Sequence, residues 1–205
     1  DLHNVAHSFP TRRSSDPPAA TTIEIGISGS VPRSYVPSDQ RRLEVYRRIA
    51  AAVALGDLAK VRVDLVQAYG DPPRATHRLL ELAELRIAAA SLGVRTITIR
   101  DRDVIFRTGD TAKVADALLR NAAHTPGAHI ASVRPLPAKT PGELGEVYFR
   151  PPDKYLEPGT LLAILRRRLG ILPPAELPGA QSPPGQKVAS RPAPRARQAI
   201  DTKPV

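Results

Sequence analysis

The chain has 205 residues, with 30 Lys and Arg against 20 Asp and Glu, so its formal net charge is +10. It contains no Cys, which excludes a disulfide framework, a thiolate zinc site and a cysteine nucleophile and fits a reducing compartment. It also contains no Met, so we expect it to be part of a longer protein. No apolar run approaches the roughly 18 residues of a membrane span, and no signal-peptide pattern opens the chain. The positive charge favours an anionic partner.

Composition divides the chain into three parts. The segment His7–Asp16 reads codon by codon like a translated sequencing adapter, so we set residues 1–16 aside as an artefact or a disordered arm. Residues 171–205 hold eight of the 22 prolines and carry +3, which is typical of a disordered basic tail. The predicted folded domain is 17–170, which carries +7 with its acidic and basic residues interspersed.

Helices dominate the first half of the predicted domain. Alternating isoleucines predict a strand over 21–27. Apolar residues at spacings of three and four predict a helix over about 39–54, with Ser38 as its N-cap. A second helix follows with Asp57 as its N-cap, and a third covers about 73–92 with a wide apolar arc.

The second half shows period-two patterns between helices. The predicted elements are a hairpin of 96–99 and 104–106, a helix over 112–123, strands at 130–133 and 147–149, and a final helix over 157–170. Helices and antiparallel strands in separate runs define the class α+β. We therefore expect a helical part of three helices, followed by a small antiparallel sheet with further helices.

The residue types that carry catalysis form no recognisable motif. The sequence has no G-x-x-x-x-G-K-[ST] run, so no phosphate-cradling loop is predicted. Its five histidines show no metal-ligand spacing, and no G-x-S-x-G elbow supports a serine nucleophile. We therefore predict no catalytic, cofactor-binding or metal-binding residue in this chain.

Two groups of arginines are candidates for contact with a partner. The first group lies on the predicted first and third helices and would serve protein docking, with ordinary solvation as the alternative. Its members are Arg42, Arg47, Arg48, Arg78 and Arg86. The second group is the run Arg166, Arg167 and Arg168 at the end of the last helix. It would contact phosphate or, alternatively, offset the negative end of the helix dipole.

Several sequence blocks have the order and spacing of one protein family. They are Val31-Pro32, Tyr35–Asp39 (YVPSD), Arg42–Ala50 (RLEVYRRIA), Asp64–Pro73 (DLVQAYGDPP) and Leu79–Arg86 (LLELAELR). Over about 23–107 the chain thereby resembles the C-terminal domain of the bacterial transcription-repair coupling factor (Mfd). Gln67 and Ala68 depart from the family, which usually has an Asp-Arg pair at this place.

The resemblance implies a regulatory domain and not an enzyme. The full-length family protein is an ATP-driven translocase on double-stranded DNA in the bacterial cytoplasm. It displaces stalled RNA polymerase and recruits the excision-repair protein UvrA. Its motor, which uses ATP and Mg, lies upstream of the C-terminal domain, which packs on the N-terminal UvrA-binding region and restrains the motor. The alternative is a basic nucleic-acid-binding module without catalysis, which the charge of the predicted domain motivates.

Overall fold

The structure, a computed structural model, describes residues 21–122 and 131–171. Its elements are β1 (Thr22–Glu24), α1 (Asp39–Ala51), α2 (Leu55–Tyr69), α3 (Arg74–Ser91), β2 (Val94–Arg100), β3 (Asp103–Thr108), α4 (Thr111–Arg120), β4 (Ser132–Leu136), β5 (Gly145–Arg150), a 3₁₀ turn (Asp153–Tyr155) and α5 (Pro158–Arg168). This arrangement confirms the α+β class. The adapter-like segment 1–16 and nearly all of the predicted tail 171–205 lie outside the described residues, as does the predicted start of a strand at 130.

The five strands form one mixed sheet in the order β1-β2-β3-β5-β4. The predicted hairpin is present, and β2, β3, β5 and β4 pair antiparallel. The first strand, β1, pairs parallel with β2 and makes the sheet mixed, a pairing that the sequence did not predict. A parallel pair requires a long crossover connection, and α1, α2 and α3 together supply it between β1 and β2.

One face of the sheet packs against helices and forms the larger core. Val104 pairs across the strands with Phe149, and Phe106 pairs with Val147. Alternation along each strand places these four side chains on one face, where all are fully buried. Side chains from α3, α4 and α5 cover them. These three helices are therefore fixed in position by the sheet.

A second core lies among α1, α2 and α3, and α3 belongs to both cores. Leu80 and Ile87 pack into the helical core, whereas Leu85 and Ala89 pack into the sheet core. At about 100° per residue these two pairs point to opposite sides of the helix. The wide apolar arc predicted for the third helix thus reflects a helix between two cores.

The loop before α1 approaches α3 so closely that it requires a glycine. A Cβ atom at Gly29 would lie 2.3 Å from the backbone N of Leu79. Next to it, the Ser30 N–H donates to Ala75 O at 3.1 Å, and Thr76 Oγ1 donates to Ser30 O at 3.0 Å. The loop is therefore held on the first turns of α3.

Of the two N-cap residues predicted for α1 and α2, the structure confirms the first and contradicts the second. Ser38 is the N-cap of α1, and its Oγ accepts from the Arg41 N–H at 3.4 Å. Asp57, predicted as the N-cap of α2, instead lies in the first turn, because the helix begins at Leu55. Its carboxylate accepts from the backbone N–H of Ala54 at 3.1 Å, which satisfies a donor that precedes the helix.

Candidate docking surfaces

Two of the predicted docking arginines hold the fold together. Arg42 Nη1 donates to Val36 O at 3.0 Å and to Pro37 O at 3.1 Å, so it fastens the turn before α1. Arg86 Nη2 donates to Ile49 O at 3.1 Å and to Ala52 O at 2.9 Å, where the C-terminal carbonyls of α1 lack partners in the helix. Burial lowers the pKa of Arg86. Neither guanidinium is presented freely to a partner.

The outward face of α2 carries an apolar row. Leu55, Ala59, Val63 and Val66 recur at spacings of four, four and three, so they lie on one side of the helix. All four are exposed, and Val63 is 52% exposed. The buried side of α2 faces the helical core instead. We call these four residues the α2 strip.

The predicted arginines Arg47 and Arg48 both lie on α1, and Arg48 faces α2. Arg48 Nη2 is 2.5 Å from Asp64 Oδ2, and both side chains are about half exposed. Such a surface ion pair contributes at most about 1 kcal/mol to stability. Arg47 is exposed and is linked to no other described residue by a hydrogen bond or ion pair. Both arginines are accessible to a partner.

A charged cleft of about 560 Å³ lies between α2, α3 and the start of α5. Its charged lining residues are Arg62, Arg74, Arg78, Glu81, Glu157 and Arg166, and His77 also lines it. Arg78 is the only predicted docking residue in it, and Arg166 is the only member of the predicted phosphate-binding group. The sequence motifs did not indicate this cleft, because its walls come from three separate helices.

An ion-pair network forms the inner wall of this cleft. Arg166 Nη1 donates to Glu81 Oε1 at 2.9 Å, and Arg166 Nη2 donates to Glu84. Glu84 also pairs with Arg62 at 3.3 Å. Arg166 is only 7% exposed, whereas the side chains of Glu81 and Arg62 are partly exposed to solvent. The network links α2, α3 and α5 across the boundary between the two cores.

Glu157 stands at the outer edge of the cleft as the N-cap of α5. Its Oε2 accepts from the backbone N–H of Thr160 at 2.9 Å and from Thr160 Oγ1 at 2.9 Å. Hydrogen bonds from the backbone of Thr160 and Gly159 lower the pKa of Glu157, and the nearby charge of Arg74 adds to this effect. The N-terminal amides of α5 are therefore already partnered by this carboxylate.

The other members of the predicted phosphate-binding group point into the fold. Arg167 and Arg168 are 3% and 1% exposed. Arg168 Nη1 donates to Leu118 O at 2.7 Å, and its guanidinium lies 5.3 Å from the centre of the Phe149 ring. Burial lowers the pKa of Arg168. This placement favours a structural role at the end of α5 over contact with phosphate.

Residues 21–122 and 131–171 present neither a metal-binding cluster nor a membrane-spanning helix. Within those ranges, no group of three or more acidic or histidine side chains is arranged to hold a metal ion. No helix within them is long and apolar enough to cross a bilayer.

The fold and its surfaces define a two-core α+β domain with an exposed apolar strip on one helix and a charged cleft beside it. Residues 25–118 match the family model of the TRCF domain. The crystal structure of a C-terminal domain of transcription-repair coupling factor has a similar fold, with a TM-score of 0.55 at 16% identity. That similarity covers 75% of this chain and 94% of the solved one.

Curated relatives carry the name transcription-repair-coupling factor. The relative from Mycobacterium tuberculosis (strain CDC 1551 / Oshkosh) is 29% identical over 194 residues, which cover 91% of this chain. The relative from Escherichia coli (strain K12) is 28% identical over 99 residues, 48% of this chain and 9% of the relative. The chain spans about 15% of the length of the mycobacterial relative.

The match over residues 25–118 and the curated relatives confirm the resemblance to the C-terminal domain of the transcription-repair coupling factor.

Proposed function

We propose that this chain is the regulatory docking domain of a transcription-repair coupling factor. The name of its relatives indicates transcription-coupled DNA repair as the process. In the proposed mechanism the domain packs on the N-terminal UvrA-binding region of the same protein, masks it, and restrains the ATP-driven motor until RNA polymerase is engaged. The domain itself performs no chemistry in this account.

The observation that best supports docking is the α2 strip. Scattered exposed apolar side chains are ordinary, but a row along one face of a helix marks a surface that binds another protein. Burial of such a row in an interface would contribute roughly 25 cal/mol per Å² of apolar area removed from water. Arg47 and Arg48 on α1 and Asp64 on α2 are exposed, and they would supply polar contacts to an interface that extended from the strip towards α1.

The test removes the domain from the full-length protein. Deletion of residues 31–170 should raise the resting ATPase rate and expose the UvrA-binding region, so that UvrA binds more tightly. If neither quantity rises, the autoinhibitory function is refuted.

Nucleic-acid binding is the alternative, and its support is weaker in the folded protein. The densest basic run, Arg166–Arg168, is buried and therefore cannot lie along a phosphate backbone. Titration of the 205-residue chain with duplex DNA at two salt concentrations separates the proposals. A steep salt dependence of the affinity would favour the alternative, because each phosphate contact releases counterions.

A further inference from the structure

The charged cleft is lined by Arg74 and Arg78, which form no hydrogen bond or ion pair with another described residue, although the charge of Arg74 acts on the nearby Glu157. Arg74 and Arg78 are one turn apart on α3 and so lie on the same side of that helix. Arg78 is half-buried and lines the cleft, yet no hydrogen bond or ion pair links it to another residue in the described part of the chain. The nitrogens of Arg78 are not among the buried, unpartnered atoms of the described residues, so its guanidinium donors are open to solvent or to a ligand.

The charges deeper in the cleft are balanced. Arg62 and Arg166 face Glu81 and Glu84 in the network described above. At the edge, the Glu157 carboxylate is engaged by the N-terminus of α5. The net positive charge of the cleft is therefore small, and it comes from Arg74 and Arg78.

We infer that this cleft binds a carboxylate side chain from an acidic segment of a partner protein, with Arg78 and Arg74 as its ligands. This inference rests on the proposed docking function and identifies a second contact surface for it. Guanidinium and carboxylate groups form paired, parallel hydrogen bonds, and an Asp or Glu matches a site with little surplus charge.

The same geometry disfavours nucleic acid in this cleft. A duplex presents a continuous row of phosphates, and Glu81 and Glu157 would face that row at the cleft wall. The N-terminal amides of α5, which otherwise attract phosphate, are occupied by Glu157. A cavity of about 560 Å³ has the size of a site for a few side chains and not for a double helix.

The test titrates the isotope-labelled 205-residue chain with a hexaglutamate peptide and follows its backbone amides by NMR. A hexaglutamine peptide and a single-stranded oligonucleotide of equal net charge serve as comparison ligands. We expect the hexaglutamate shifts to cluster in residues 74–81 and 157–163, which line the cleft. Absence of these shifts, shifts elsewhere, or tighter binding of the oligonucleotide at this cleft would overturn the inference.

Variants with matched charge locate the contact. Arg74→Gln with Arg78→Gln should weaken peptide binding about tenfold or more, because it removes charge-assisted hydrogen bonds. Arg100→Gln with Lys139→Gln removes two exposed charges elsewhere and should leave binding unchanged. Arg78→Lys should retain only part of the affinity, since it keeps the charge and loses the planar fork. Equal weakening of peptide binding in both double variants would show general charge attraction and refute the site.

The deletion experiment is independent of this result, so the docking function can hold while the cleft inference fails.

Discussion

The arginines at the end of α5 and those at the start of α3 differ in what surrounds them. Arg168 is 1% exposed and donates to a backbone carbonyl of α4, and Arg166 is tied to two glutamates of α3. Arg74 and Arg78 instead lie at an open cleft, and neither forms an ion pair with another described residue. The contiguous run 166–168 thus stabilises the fold, whereas the pair Arg74 and Arg78 is available to a ligand. Burial, and not the local density of charge, separates these roles.

The largest effect should come from Arg168. We expect Arg168→Ala to lower the free energy of unfolding by about 3 kcal/mol, because it leaves the buried Leu118 carbonyl without its donor and opens a cavity beside Phe149. Urea denaturation measures this change. Arg120→Ala, which removes an exposed arginine from α4, is the control and should cost less than about 0.5 kcal/mol. Equal free energies of unfolding for the two variants would contradict the claim that the buried arginine stabilises the fold more than the exposed one.

A smaller loss of stability is expected when the ion-pair network at the inner wall of the cleft is altered. Glu84→Gln should lower the free energy of unfolding by about 2 kcal/mol, since Arg166 and Arg62 both lose an ionised partner. Combining it with Arg166→Met in a double-mutant cycle isolates the coupling between α3 and α5. A coupling free energy near zero would contradict the view that this network joins the two cores.

The smallest effect on stability should come from the mouth of the cleft. Arg74→Gln with Arg78→Gln should change the free energy of unfolding by less than about 0.5 kcal/mol, because no hydrogen bond within the described structure is lost. Thermal and urea unfolding of this variant provide the measurement. A loss comparable to that of Glu84→Gln would mean that these arginines serve the fold, and it would weaken the case for a ligand.

Local patterns predicted most of the architecture. Apolar spacings of three and four located the helices, Ser38 marked the start of α1, and alternation located the β2–β3 hairpin. The parallel pairing of β1 was missed because it depends on a strand about 70 residues further along the chain. Asp57 was placed at the wrong helix position because a capping carboxylate can act from the first turn as well as from the N-cap.

The candidate sites were harder to predict than the elements that carry them. Arg86 belongs by sequence to a charged face, but its position opposite the end of α1 directs it to two free carbonyls. Arg166 meets Glu81 and Glu84 across more than 80 residues of sequence, and no periodicity within one helix contains that information. Arg78 lies in the cleft wall, and its role as a docking residue stays a prediction.

The most direct test of the docking account changes the α2 strip in the full-length coupling factor. Val63→Asp with Val66→Asp places two charges on exposed positions, so folding should be preserved while the apolar contact is lost. Leu119→Asp with Leu136→Asp makes the same chemical change at exposed residues of α4 and β4. If the α2 strip is the docking surface, the resting ATPase rate should rise and UvrA should bind more tightly in the first variant only. Resting activity and UvrA affinity equal to those of the unaltered protein, or an equal rise in both variants, would contradict it.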